Sequence, residues 1–126
     1  MRIEDMTFGI EFETTVPHRL VADGTIRVGG YSGPGAATPG LPEGWGAKSD
    51  GSIRSSRGRV GVEFVSPVLS GADGLRQIKR VCEKFREWDV KVNDSCGLHV
   101  HVGFDRRWIG VLERLLHLTA NYENAI

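Results

Sequence analysis

The sequence predicts an α+β domain whose mainly antiparallel sheet carries its helices on one face. Three observations lead there. Several short runs alternate apolar and polar residues with a period of two; two longer segments repeat apolar residues at helical spacing; and the order reads β, loop, β, β, α, β, β, α rather than a strict alternation of strand and helix.

The first strand is MTFGIEFETTV. Phe8, Ile10 and Phe12 fall on one side, Glu11 and Glu13 on the other, and the β-branched flank favours extended backbone. From about His18 to Gly46 the chain is rich in glycine, carries Pro34, Pro39 and Pro42, and has no sustained period, which predicts a long functional or mobile loop. Within it TIRVGGY is a candidate for a short strand pair. GWGAKSDGSI follows, with Asp50-Gly51 as the turn between two short strands. VGVEFVSP is the next strand, Val62 and Phe64 facing one way, Gly61, Glu63 and Val65 the other, ended by Pro67.

Ser70 and Asp73 read as a capping box for a helix with a buried stripe of Leu75, Ile78, Val81, Cys82, Phe85 and Trp88. The runs VKV at 90–92 and LHVHVGF at 98–104, joined by the turn-rich NDSCG, are expected to form a hairpin. Asp105 is placed to cap a final helix with apolar residues at Trp108, Leu112, Leu115, Leu116, Thr119, Tyr122 and Ile126. That stripe is still running at Ile126, so the chain is expected to be part of a longer protein. The 126 residues, 40% hydrophobic and 25% charged, suit one domain over 1–126 with the glycine-rich loop 18–46 inside it.

Sixteen basic residues balance sixteen acidic ones, so no net field draws the chain to nucleic acid or to an anionic membrane. No segment has the length and hydrophobicity of a bilayer span or a signal peptide, and one pair of cysteines is weak evidence for a disulfide. A cytoplasmic protein is expected.

Chemistry gathers on the polar sides of three strands: Glu11 and Glu13, then Glu63, then His99 and His101. If helices cover the side of Phe8, Ile10, Phe12, Val62, Phe64, Leu98, Val100 and Val102, the opposite side becomes an open surface with three carboxylates and two imidazoles. Strands lie about 4.8 Å apart, so these groups can converge on one or two divalent cations, whose charge relieves the crowding of the acids. Carboxylates with a histidine suit Mg²⁺ or Mn²⁺; Cys96, His99 and His101 form a C-x-x-H-x-H string, but a closed zinc site lacks a partner cysteine. Trp45 either fills an apolar gap or stacks on a ligand ring.

FGIEFE at 8–13, WGAKSDGSI at 45–53, GVEFVSP at 61–67 with its following helix, and CGLHVHVGF at 96–104 resemble, in that order, the signature blocks of the amidoligase family. Its members are similar to glutamine synthetase and glutamate–cysteine ligase. The resemblance implies a sheet of the glutamine-synthetase catalytic type and an enzyme that uses ATP to phosphorylate a carboxylate, which an amine then converts to an amide. It implies that Glu11 and Glu13 point to different Mg²⁺ or Mn²⁺ ions, with Glu63 completing one set and His99 the other, and that His101 lies nearer substrate or phosphate. Lys48, Arg54, Arg57 and Arg59 become candidates to hold ATP phosphates or a substrate carboxylate, and Asp50 to orient the amine or fix the DGS turn. Partners on this reading are small-molecule or peptide carboxylate and amine substrates; the oligomeric state stays open. Two other readings stand beside it. H-x-H with Asp105 four positions after His101 is compatible with a cupin-like metal-dependent hydrolase or oxygenase, and the unfinished last helix with a non-catalytic truncated module.

Overall fold

The computed structural model describes residues 2–103 and 109–123. Its architecture is α+β: an open, mainly antiparallel six-stranded sheet with a few helices. After a 3-10 turn at Ile3–Asp5 come β1 (Thr7–Pro17), α1 (His18–Ala22), β2 (Ala36–Ala37), β3 (Gly46–Ser49), β4 (Arg59–Val65), β5 (Leu69–Ser70), α2 (Gly71–Glu87), β6 (Leu98–Val102) and α3 (Ile109–Glu123). The sheet follows the order β2, β3, β4, β1, and β5 and β6 both pair with β1. An open sheet that passes from β6 into a helix is not the closed strand barrel a cupin requires.

The eleven residues of β1 organise everything else. Their alternation puts Ile10, Thr14 and Val16 into the interior, and Phe12 packs beside them, stacked with Trp45 and edge-on to Phe85. On β4, Val62 and Phe64 are fully buried in the same layer, with Leu20, Ile26, Ala47 and Trp88. Ile10, Trp45, Leu69 and Val81 form a second buried group, joined to the first through Phe12, Phe85 and Leu41. Burying an aromatic side chain of this kind stabilises by roughly 2–3 kcal/mol. Trp45 is therefore a core plug rather than a stacking platform for a ligand; its indole N–H donates to Gln77 Oε1 at 3.0 Å.

Helix α2 covers this layer, but in a different phase from the sequence reading. Gly74, Val81 and, just past the helix, Trp88 are buried and Ile78 and Phe85 half-buried, whereas Leu75 and Cys82 face solvent. Gly74 lies so close to the sheet that an added Cβ would meet Phe8 Cζ at 2.9 Å and Leu69 Cβ at 3.0 Å. Ser70 is the N-cap, but no side-chain capping bond forms; Asp73 instead accepts from Gln77 and pairs with Arg76.

The expected hairpin of 90–92 with 98–104 does not form. Both runs add to the same edge of β1: Lys91 opposes Thr15, Glu13 N–H donates to the Gly97 carbonyl, and β6 continues from Phe12↔Leu98 to Phe8↔Val102. A strand of eleven residues offers an edge long enough for both, the first run meeting it in a single bridge at Lys91 and β6 in a five-residue ladder. The apolar face of β6 also departs from expectation. Leu98, Val100 and Val102 are exposed, as are Leu115 and Leu116 of α3. Asp105, Trp108 and Ile126 and the Tyr122 side chain, on which part of the last-helix reading falls, lie outside the described residues.

The glycine-rich loop is more ordered than its composition indicates. It holds α1 and β2, buries Ile26, and lays Gly29 beside β3, with Gly29 N–H donating to the Ala47 carbonyl and Ser49 N–H to the Gly29 carbonyl. Gly35, at φ +82°, passes directly over β3, where any Cβ would meet the Ala47 backbone at 2.8 Å. Asp50-Gly51 opens not a tight hairpin but a connection running to Gly58 before β4 begins.

Candidate functional site

With α1 and α2 on the other side, the uncovered face of the sheet follows from its register. Glu13 on β1 pairs with Glu63 on β4, which pairs with Lys48 on β3; one pleat away, Glu11 on β1 pairs with His99 on β6. Directly opposed residues share a face, so chain positions far apart in sequence stand side by side. Glu11, Glu13, Glu63 and His99 line one cleft of about 640 Å³, together with Asp50, Gly51, Ser52 and Tyr31.

Within it His99 Nδ1 lies 3.2 Å from Glu11 Oε2 and its Nε2 3.9 Å from Glu13 Oε1. His101 Nε2 reaches Glu11 Oε2 at 3.4 Å, although its ring belongs to a neighbouring depression shared with Gly9, Ser66 and Val102. Burial works to raise the Glu11 carboxyl, but hydrogen bonds and charge from the two imidazoles outweigh it and hold its pKa below the ordinary value. Glu63 is the least exposed of the acids. Burial raises its pKa, Lys48 opposes the rise from 3.7 Å, and the charges of Glu11, Asp50 and Glu13 add to it. Asp50 moves the other way: the Ser52 hydroxyl and backbone N–H donate to its Oδ1 at 2.6 and 2.9 Å and keep it readily ionised. Gly97 leaves the room these groups need, since a Cβ there would stand 3.1 Å from Glu13 Oε2 and 3.3 Å from His99 Nε2.

The three arginines do not gather with these residues. Arg54 and Arg57 are exposed on the connection after Asp50, and Arg54 pairs with Asp94 at 2.7 Å. Arg59 is taken up by the fold: its guanidinium donates to the Thr15 carbonyl and hydroxyl and to the Asp89 carbonyl and carboxylate, near the far end of β1 from Glu11. A group so engaged is a poor phosphate ligand, and the structure does not bring Arg59 into the cleft. Lys48 stands in the row of acids but as the partner of Glu63. Tyr31 is the lining residue that sequence reading passed over. Its only signal was a lone aromatic among glycines.

Among the described residues, no three carboxylate, imidazole or thiol groups stand close enough together to hold a metal ion. Glu11 is engaged by both imidazoles and Glu63 by Lys48. The donor set still suits a hard divalent cation. Oxygens predominate, one imidazole stands among them, and Glu63, its pKa raised mainly by burial and further by the charges of Glu11, Asp50 and Glu13, would be relieved by a cation.

A family model described as "Putative amidoligase enzyme" matches residues 4–126. The chain belongs to the amidoligase family. That membership brings with it ligase chemistry in general. No curated protein and no solved structure matches the chain significantly. Among the described residues, no helix of this amidoligase is long and apolar enough to cross a membrane.

Proposed function

We propose that this amidoligase is an ATP- and Mg²⁺-dependent carboxylate–amine ligase working through an acyl phosphate on a sheet of the glutamine-synthetase type. The observation that carries the reading is that Glu11, Glu13, Glu63 and His99, from three separate strands, line one cleft on the side of the sheet away from α1 and α2. These four residues would hold Mg²⁺ or Mn²⁺, which when bound supplies charge neutralisation for the phosphates of ATP.

In the first step a carboxylate oxygen of the substrate attacks the γ-phosphorus and ADP leaves. An amine nitrogen then attacks the acyl carbon, inorganic phosphate departs with the C–O bond, and the nitrogen gives up a proton. Asp50, held ionised by Ser52, stands in the same cleft to attract and orient the amine, and Lys48 tempers the repulsion between Glu63 and an incoming anion. His101 reaches Glu11 from the adjoining depression, a position suited to contact with substrate or phosphate. Arg57, exposed on the same connection as Asp50, is available to an anionic tail of ATP or substrate, and Arg54 could reach one by leaving its exposed partner Asp94.

The test is release of inorganic phosphate from ATP in the presence of candidate carboxylates, with hydroxylamine as the amine. Turnover should require Mg²⁺ or Mn²⁺, give a hydroxamate, and fall on the order of a hundredfold or more in Glu11→Ala and His99→Ala. Turnover without metal that both substitutions leave untouched would overturn the reading.

A further inference from the structure

The connection from Asp50 to Gly58 runs outside the sheet between β3 and β4, yet it carries three residues of the cleft wall, Asp50, Gly51 and Ser52. Its backbone is stapled at Arg54. Asn93 Nδ2 donates to the Arg54 carbonyl at 2.7 Å, and Arg54 N–H donates to Ser95 Oγ at 2.9 Å. Asn93 also sets the second bond, because its Oδ1 accepts from Ser95 N–H at 2.9 Å and from the Ser95 hydroxyl at 2.6 Å, leaving that oxygen's lone pairs turned to Arg54. Both bonds are to main chain, so the staple reads the path of the loop and not the side chain at 54. The 93–95 turn in turn leads straight into Gly97, whose carbonyl accepts from Glu13 N–H at 3.0 Å, and into His99.

We propose that Asn93 is a positioning residue that holds the Asp50–Ser52 wall of the cleft against the Glu13 and His99 wall, acting through Ser95 and the Arg54 backbone. This rests on the cation-binding reading of the cleft. Without the staple the Asp50 carboxylate moves away from the cleft and its attraction for a cation there is lost, while the strand-borne acids keep their places.

The experiment measures Mn²⁺ affinity of the full chain by electron paramagnetic resonance, alongside hydrogen exchange of residues 50–58. Asp50→Asn should weaken Mn²⁺ binding roughly fivefold, the effect of one exposed charge at close range. Asn93→Ala should weaken it to a similar degree and speed exchange in 50–58, and the double variant should be no worse than Asp50→Asn alone, since both changes remove the same attraction. Ser95→Thr, which keeps the hydroxyl, should bind as the parent chain does; Ser95→Ala should not. Additive losses, or an Asn93→Ala chain that binds Mn²⁺ normally, would overturn the positioning role while leaving the ligase reading intact. A parent chain that binds no Mn²⁺ would overturn both, and unchanged exchange in Asn93→Ala would by itself refute the staple.

Discussion

Arg59 differs from Arg54 and Arg57 in where its guanidinium ends. Its side chain is 13% exposed, and its fork bonds two backbone carbonyls, of Thr15 and Asp89, together with the Asp89 carboxylate. Arg59→Ala would remove these charge-assisted bonds at once, at a cost of about 2–4 kcal/mol in a denaturant unfolding curve, and Arg59→Lys would recover less than half because an ammonium cannot fork between the acceptors. Mn²⁺ affinity should be the same in both variants. A stable Arg59→Ala chain with weakened metal binding would return Arg59 to the cleft. Sequence gave no means to separate the three arginines, since all sit in one basic strip and the acceptors of Arg59 come from residues 44 and 30 positions away. The acids were legible for the opposite reason: alternation within a strand fixes the face of a side chain before any partner is known.

Among the elements, β1 and β4 were readable from their alternation, and α2 from its period, but the phase of α2 was not. Leu75 and Cys82 carry hydropathy and are exposed; Gly74 carries none and is buried, because what places it inside is close approach to Phe8 and Leu69. Gly74→Ala should therefore destabilise the chain although alanine is the better helix former. The gain of about 1 kcal/mol in propensity is outweighed by 1–3 kcal/mol of overpacking, roughly 1 kcal/mol net in thermal or chemical unfolding. An unchanged or raised melting temperature would mean that α2 sits farther from the sheet. The missed hairpin has a comparable cause. Turn chemistry at NDSCG is local, whereas the competition for the edge of β1 is decided by residues some 80 positions away.

For the molecule as a whole, one sheet divides two tasks. The helix-covered side buries Phe64, Trp45, Val62 and Val16 and holds the strands rigid; the other side presents carboxylates whose mutual repulsion that rigidity must withstand, with imidazoles that pair with them. The order of the blocks along the chain made this arrangement legible, because strand register converts separation in sequence into adjacency across the pleat. What stayed hidden was the cost of burial at Glu63, which raises its pKa, with the neighbouring acids adding to the rise and Lys48 opposing it. The most direct measurement is anomalous diffraction from crystals of this chain grown with Mn²⁺. A peak should appear in the cleft, within about 2.2 Å of oxygens from at least two of Glu11, Glu13 and Glu63 or of a His99 nitrogen. Fully occupied Mn²⁺ bound elsewhere, with the cleft empty at saturating concentration, would contradict the metal-holding role of this face.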